Sequence, residues 1–397
     1  MADDLRRHWT LDPAVTFLNH GSFGACPAAV LAVQAEWRAR LEREPVRFLV
    51  TDLEGLLDEA RATVGAFVGA DPDDLAFCPN ATTAVNAVLR SLDFAPGDEI
   101  LVTDHAYNAC RNVVDYVAAR AGGRVVVARV PFPLTGDDVV VVAVRAAVGA
   151  RTRLALLDHV TSPTGVLFPL ARLVAELAAA GVDALVDGAH GPGMVPLDLG
   201  RLGAAYYTGN LHKWCCAPKG VAFLHVRRDR QAQVRPWTIS HGANAPRTDR
   251  SRFRLEFDWT GTTDPTAALS VPAALRFVGS LLPGGWPEVM AANRALALEA
   301  RRVIAATLGV APPCPDTMIG SLAAVPLPDA AEVTPPSSAL YTEPLQQALH
   351  NRHRIQVPIV PWPAPPHRLV RVSAHLYNRT DQYRRLARAL EQELARE

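Results

Sequence analysis

Lys213 and Lys219, both inside 209-GNLHKWCCAPKG-220, are the only lysines in a chain of 397 residues that otherwise takes its positive charge from arginine. The two basic side chains are not equivalent. An ammonium can lose its proton and attack a carbonyl, whereas a guanidinium stays charged. Against an arginine background, a retained lysine marks a place where arginine cannot substitute. Lys213 is followed by Trp214, Cys215 and Cys216. That apolar company argues against an ordinary surface lysine, and a partly desolvated lysine has a depressed pKa that makes it a usable amine nucleophile.

Three other stretches place polar side chains directly after an apolar run. In 79-PNATTAVN-86, Asn80, Thr82 and Thr83 stand where a helix begins, so free backbone N–H groups and hydroxyls form an anion cradle suited to a phosphate; ordinary N-capping is the bland alternative. In 103-TDHAYN-108, His105 or Tyr107 can present an aromatic face to a planar ligand, against the bland alternative of a hydrogen-bonded histidine. In 186-VDGAHGPG-193, Asp187 and His190 close an apolar strand. A carboxylate buried there needs a partner, because an isolated buried charge is prohibitively costly; a protonated ring nitrogen would serve. No GxGxxG follows a strand and no GxxxxGK(S/T) occurs, which leaves dinucleotide and P-loop readings without support.

These residues need a scaffold. Candidate strands are 75–78, 99–104, 124–130, 153–160, 183–190, 204–210 and 221–226, several of them almost wholly apolar, and segments such as 169-PLARLVAELAAAG-181 between them have helical periodicity. The pattern is that of a doubly wound α/β sheet, whose ligands bind outside the carboxyl ends of the strands. After about residue 265 the texture changes. Helical segments 266–282 and 286–309 lead through a proline-rich, strand-poor stretch to a last helix at 380–397. The expectation is a large domain over 20–265 and a smaller α+β domain over 266–397, joined by residues 1–19.

Bulk properties exclude several classes. With 40 basic and 40 acidic residues and a pI near 7.2 there is no electrostatic footprint for nucleic acid or an anionic membrane. Residues 1–13 contain no apolar run of signal-peptide length and no segment approaches the roughly 20 apolar residues of a membrane span, so a cytoplasmic protein is expected. The six cysteines lack CxxC spacing and suggest neither a disulfide framework nor a zinc site.

A phosphate cradle, a stacking aromatic, an aspartate for a ring nitrogen and a nucleophilic lysine, in that order, are what pyridoxal 5'-phosphate (PLP) requires. The chain resembles the class V aminotransferase group of fold-type I PLP enzymes, within it the isopenicillin N epimerase-like branch, through LNHGSFGACP at 18–27, EREPVRFL at 42–49, NATTAVN at 80–86, DHAYNA at 104–109, VDGAHGPG at 186–193, HKWCCAPKG at 212–220 and RVSAHLYN at 371–378. The resemblance implies a mostly parallel seven-stranded sheet with a smaller C-terminal α+β domain. It implies that Lys213 forms the Schiff base, that Asp187 pairs with the pyridinium nitrogen, and that His190 lies near the phenolic oxygen. His105 resembles the residue that stacks on the ring. Asn80, Ala81 and Thr82 resemble the phosphate cradle, with Asn210 and His212 as neighbours. Thr262, in 260-TGTTDPT-266, resembles the residue that reaches the phosphate of the other subunit's cofactor, implying a homodimer with shared sites. Arg371 matches the arginine that grips the substrate α-carboxylate in a bidentate pair; Asn19, His20, Ser22 and Arg47 are substrate-side candidates without assigned roles.

The implied substrate is a small molecule with an α-amino acid moiety, and loss of its Cα proton opens several outcomes. The reading favours β-elimination from a cysteine S-conjugate in specialised metabolism, followed by epimerisation, then decarboxylation-linked deamination or transamination; a non-catalytic binding module of the same fold is the alternative from another class. A cysteine desulfurase needs a persulfide-forming cysteine in the C-terminal half, and Cys314, the only one after Cys216, is far from Arg371 in the sequence.

Overall fold

In the computed structural model, which describes residues 5–333 and 343–397, all seven anticipated strands form: β1 (Leu75–Cys78), β2 (Glu99–Thr103), β3 (Arg124–Ala128), β4 (Thr152–Asp158), β5 (Asp183–Asp187), β6 (Tyr206–Asn210) and β7 (Ala222–Val226). Leu154 to Leu157 and Ala184 to Val186 are buried without a break, as required of strands covered on both faces. The order across the sheet is β1-β7-β6-β5-β4-β2-β3. Six strands share one direction and β7 runs against both of its neighbours, β1 and β6. Because of that reversal, the amino end of β7 opens on the same edge as the carboxyl ends of the others. Residues 79–80, 158, 187, 210 and 219–220 therefore gather along one rim.

Among the helices that pack against this sheet are α1 (Ala81–Ser91), α2 (Asn108–Ala121), α3 (Asp137–Ala147) and α4 (Leu170–Ala179). Helix α1 starts immediately beyond β1 because Asn80 caps it, Oδ1 accepting from Thr83 N–H at 2.8 Å. Its inward stripe of Ala84, Val85 and Val88 is fully buried, which fixes the helix N-terminus against the rim.

The C-terminal part departs from the strand-poor expectation. Strands β8 (Leu322–Leu327), β9 (Ile359–Pro361) and β10 (Arg368–Ser373) form an antiparallel sheet in the order β9-β10-β8. The prolines that hide it in the sequence, Pro326 and Pro361, lie on the two edge strands, where a missing N–H is tolerated, and the central β10 has none. Helices α5 (Gly285–Leu308) and α6 (Thr380–Leu394) pack on each other, and α5 packs on this sheet. The helix expected over 266–282 is broken into Thr266–Leu269 and Val271–Gly279. Pro272 has no N–H to continue the ladder, and the Ser270 hydroxyl donates to Thr266 O at 2.7 Å.

The N-terminal segment is stitched to the small sheet. Leu18 N–H donates to Gln356 O and Ser373 N–H donates to Leu18 O, both at 2.9 Å, which lays residues 19–23 alongside the end of β10. No helix among the described residues is long and apolar enough to cross a membrane.

Candidate active site

Strand β6 runs straight into Lys213, and the backbone there is held on three sides. Cys216 N–H donates to Lys213 O at 2.9 Å, closing a turn in which Cys216 adopts φ 57°, a left-handed conformation uncommon for a residue with a side chain. His20 Nε2 is 3.0 Å from the same carbonyl and His20 Nδ1 is 2.6 Å from the Tyr377 hydroxyl. Burial lowers the His20 pKa to about 3, so the ring is neutral. A carbonyl only accepts, which places the proton on Nε2 and makes Nδ1 the acceptor from Tyr377.

The same reasoning fixes the charge state of the amine. Trp214 Nε1–H donates to His190 Nδ1 at 3.3 Å, and His190 Nε2 lies 3.2 Å from Lys213 Nζ. An indole can only donate, so Nδ1 carries no proton. Burial drives the His190 pKa well below its usual value, leaving a neutral ring with its proton on Nε2, facing Nζ. Only an unprotonated amine accepts that hydrogen bond; the tautomer is inferred from the network. Burial first and the Arg371 charge second lower the Lys213 pKa to about 8, against the opposing pull of Asp187, so the unprotonated amine that this hydrogen bond requires becomes the main form as pH rises through about 8.

At the end of β5, Asp187 Oδ1 accepts from Ala189 N–H at 3.0 Å and Oδ2 from the Cys110 thiol at 3.1 Å. Burial and the Asp187 charge keep that thiol protonated, its pKa raised well above the ordinary range. One strand over, Asp158 pairs in register with Asp187 and is buried, with Oδ2 lacking a partner. Burial and the Asp187 charge push its pKa well above the carboxylate range. Two carboxyl groups thus stand side by side, and burial with a close like charge favours the neutral form of Asp158.

At the α1 N-terminus the bland reading holds for Asn80, whose Oδ1 is the cap, and Ala81 N–H is taken by Asn210 Oδ1 at 2.9 Å. Among the described residues the Thr82 N–H and hydroxyl remain without a protein partner. His212 donates from Nδ1 to Val221 O at 3.0 Å, and burial lowers its pKa to about 4.

Arg371, in the middle of β10, is buried. Its Nη1 donates to the Ser162 carbonyl and, at 3.1 Å, to the Ser162 hydroxyl; Nη2 donates to Ser22 Oγ at 3.1 Å. Nε has no partner, and no carboxylate among the described residues pairs with the guanidinium. Burial lowers its pKa to about 10, so it remains a cation with donor capacity in hand.

Lys213, Asp187, His190, Asn210, His212 and the Asn80–Thr82 segment all line one cavity of about 510 Å³, a volume suited to a cofactor-sized ligand. Arg371 reaches it through Ser22 and Ser162, which also line it. A second cavity, about 490 Å³ and bounded by Asp58, Arg61 and Arg254, holds charges already paired with one another.

Five expected residues are placed elsewhere, the first being His20, which is fully buried and bonded to the Lys213 carbonyl and Tyr377 rather than lining the cavity. His105 does not line the cavity: it is fully buried, bonded through Nδ1 to Thr164 Oγ1 at 2.8 Å and through Nε2 to Val130 O at 3.2 Å, with Trp362 packed 4.6 Å away. Tyr107, two residues on and 42% exposed, is on the cavity wall, as is Phe23. Asn19 stands one step back, accepting from Ser22 Oγ at 2.6 Å. Arg47 is exposed beside Glu44 and Asp52, and Thr262 is exposed; neither lines the cavity of its own chain.

Asp158 and Ser162 line the cavity but were not singled out in the sequence, and Lys219, noted there beside Lys213 without a role, lines it too. Asp158 ends a strand whose core was legible, and questioning that carboxyl end as the others were questioned would have found it.

The aminotransferase class-V family model matches residues 26–317. The isopenicillin N epimerase of Amycolatopsis lactamdurans is 39% identical, across 98% of this chain and 97% of that protein. A probable chloroplastic L-cysteine desulfhydrase of Arabidopsis thaliana is 33% identical, across 96% of this chain and 83% of that protein. Among solved structures, the cystine C-S lyase C-DES in complex with its product cysteine persulfide superposes with a TM-score of 0.77 at 24% identity, covering 95% of this chain and 97% of that one. The apo cysteine desulfurase of Thermococcus onnurineus NA1 gives 0.80 at 19%, covering 99% and 98%. The chain belongs to the aminotransferase class-V family.

Proposed function

We propose that the cavity binds pyridoxal 5'-phosphate and that the protein is a PLP-dependent lyase that eliminates the β-sulfur group of a cysteine S-conjugate. The observation that carries this reading is the convergence of a Lys213 amine with a depressed pKa and the Asp187 carboxylate in one cavity, beside a buried Arg371 without an acidic partner among the described residues. The residues fit the group. A carbonyl meets Lys213, a ring nitrogen meets Asp187, a phosphate meets the unpartnered Thr82 donors, and the flat face of Tyr107 is available for a planar ring.

Bound there, PLP supplies an electron sink that weakens bonds at the Cα of an amino acid. The chain's own residues do the rest. Arg371 holds the substrate α-carboxylate through its free Nε–H and the fork beside it, fixing which Cα bond is presented. Lys213 takes the Cα proton and is the group placed to return one to the departing sulfur. His190 holds Lys213 by its Nε2–H, and the Cys110 thiol and Ala189 N–H hold the Asp187 carboxylate in place by donating to its two oxygens. Thr262, exposed on its own chain, is read as reaching the phosphate at the site of a second copy, making the protein a homodimer with shared sites. A persulfide role for Cys314 has no support: the side chain is buried, with Arg301 donating to its carbonyl at 2.8 Å and lying 3.5 Å from its sulfur.

Epimerisation at Cα is the second reading, favoured by the 39% identity to an epimerase over nearly the full length. An NMR time course of the PLP-loaded protein in heavy water, with cysteine S-conjugates and amino-acid-containing peptides, separates the two. Pyruvate and a free thiol appearing together are expected. Deuterium at Cα with inversion and no fragment release would overturn elimination in favour of epimerisation.

A further inference from the structure

Both lysines of the chain line the same cavity. Lys213 has its role; Lys219 has none so far. It is exposed, and among the described residues no hydrogen bond or ion pair engages its ammonium.

Its position follows from the reversed strand. β7 presents its amino end where the other strands present their carboxyl ends, and Ala222 pairs with Cys78. The residues just before β7 are thereby set beside Pro79, Asn80 and Thr82 at the start of α1, and Gly220, at φ 92°, makes the turn that delivers Lys219 there.

That end of the cavity is rich in donors and poor in charge. The Thr82 N–H and hydroxyl are neutral, His212 is neutral, and the helix N-terminus contributes only about half a unit of positive charge. A phosphate monoester carries roughly −1.5 to −2 at neutral pH. On the reading above Arg371 is committed to the substrate carboxylate and Lys213 to the cofactor carbonyl, so neither is assigned to the phosphate. We propose that Lys219 is the counter-ion of the cofactor phosphate, a positioning residue that completes the cradle with a charge the backbone does not supply. A compact ammonium on a flexible stem can meet a phosphate as a point charge without a fixed fork geometry. This inference rests on the reading of the cavity as a PLP site.

The test is to strip the cofactor and titrate wild type, Lys219→Gln and Lys219→Arg with PLP and with pyridoxal, which lacks the phosphate. Losing one charge-assisted contact is expected to weaken PLP binding by about 10- to 100-fold in Lys219→Gln, with pyridoxal affinity unchanged. Lys219→Arg retains the charge and is expected to stay within about threefold of wild type. PLP affinity unaffected in Lys219→Gln, or PLP and pyridoxal weakened alike, overturns the proposal. Unchanged PLP affinity with a raised KM for a substrate carrying a second carboxylate moves the charge onto the substrate and overturns it too. A wild type that takes up no PLP overturns the function reading and this inference together, so the two failures are distinguishable.

Discussion

Lys213→Ala is expected to abolish turnover, lowering the rate by at least about 10²- to 10⁴-fold, the contribution of a positioned acid–base group alone. The protein should still fold. Lys213 makes one side-chain hydrogen bond, to His190 Nε2, and that N–H is left facing the cavity, where water can take it. The backbone device that presents Lys213 uses its carbonyl and the side chains of His20 and Tyr377, so it survives the substitution. Turnover measured beside a thermal melt and the visible spectrum gives the check: a wild-type melt, no turnover and loss of the yellow colour are the expected combination, and turnover within tenfold of wild type would remove Lys213 from the chemistry.

Arg371→Met is expected to lower kcat/KM by about 10²- to 10³-fold while PLP remains bound. Removing one side of a buried, hydrogen-bonded charge pair costs about 2–5 kcal/mol, and here the substrate carboxylate supplies the other side. A second readout separates this role from a packing defect. The Arg371 charge is the second cause, after burial, of the depressed Lys213 pKa. The wild-type amine is therefore expected to become unprotonated as pH rises through about 8, and in Arg371→Met the midpoint moves upward, because a positive charge that disfavoured the ammonium is gone. The pH dependence of PLP uptake measures it. A midpoint that stays in place, with kcat/KM unchanged, would contradict the assignment.

The large sheet was legible because strands covered on both faces must be nearly all apolar, as Leu154 to Leu157 are. Asp187 and Lys213 were legible because their chemistry is costly where apolar neighbours bury it. The small sheet was not, since prolines on its edges mask the alternation. Between His105 and Tyr107 the sequence could not choose the one on the cavity wall: after β2 the chain turns, with Ala106 N–H donating to Thr103 O at 3.2 Å, and strand alternation no longer tells which side chain faces out. His105 is taken up by Phe132, Phe168 and Trp362, partners distant in sequence. Arg47 and Thr262 carry no local signal that they lie outside the cavity of their own chain. The neutral state of Asp158 and the tautomer of His190 depend on contacts between separate elements, which no single stretch displays.

The most direct test of the account is reductive trapping. Borohydride treatment of the PLP-loaded protein fixes a carbonyl cofactor to the amine that holds it, and the chain offers only Lys213 and Lys219. Tryptic mapping separates them, because modification at Lys213 blocks cleavage there and yields a labelled peptide spanning 202–219, whereas modification at Lys219 yields one spanning 214–227. Label in 202–219 is the predicted result; label in 214–227, or none in either, would contradict the assignment of Lys213 as the nucleophile of this site.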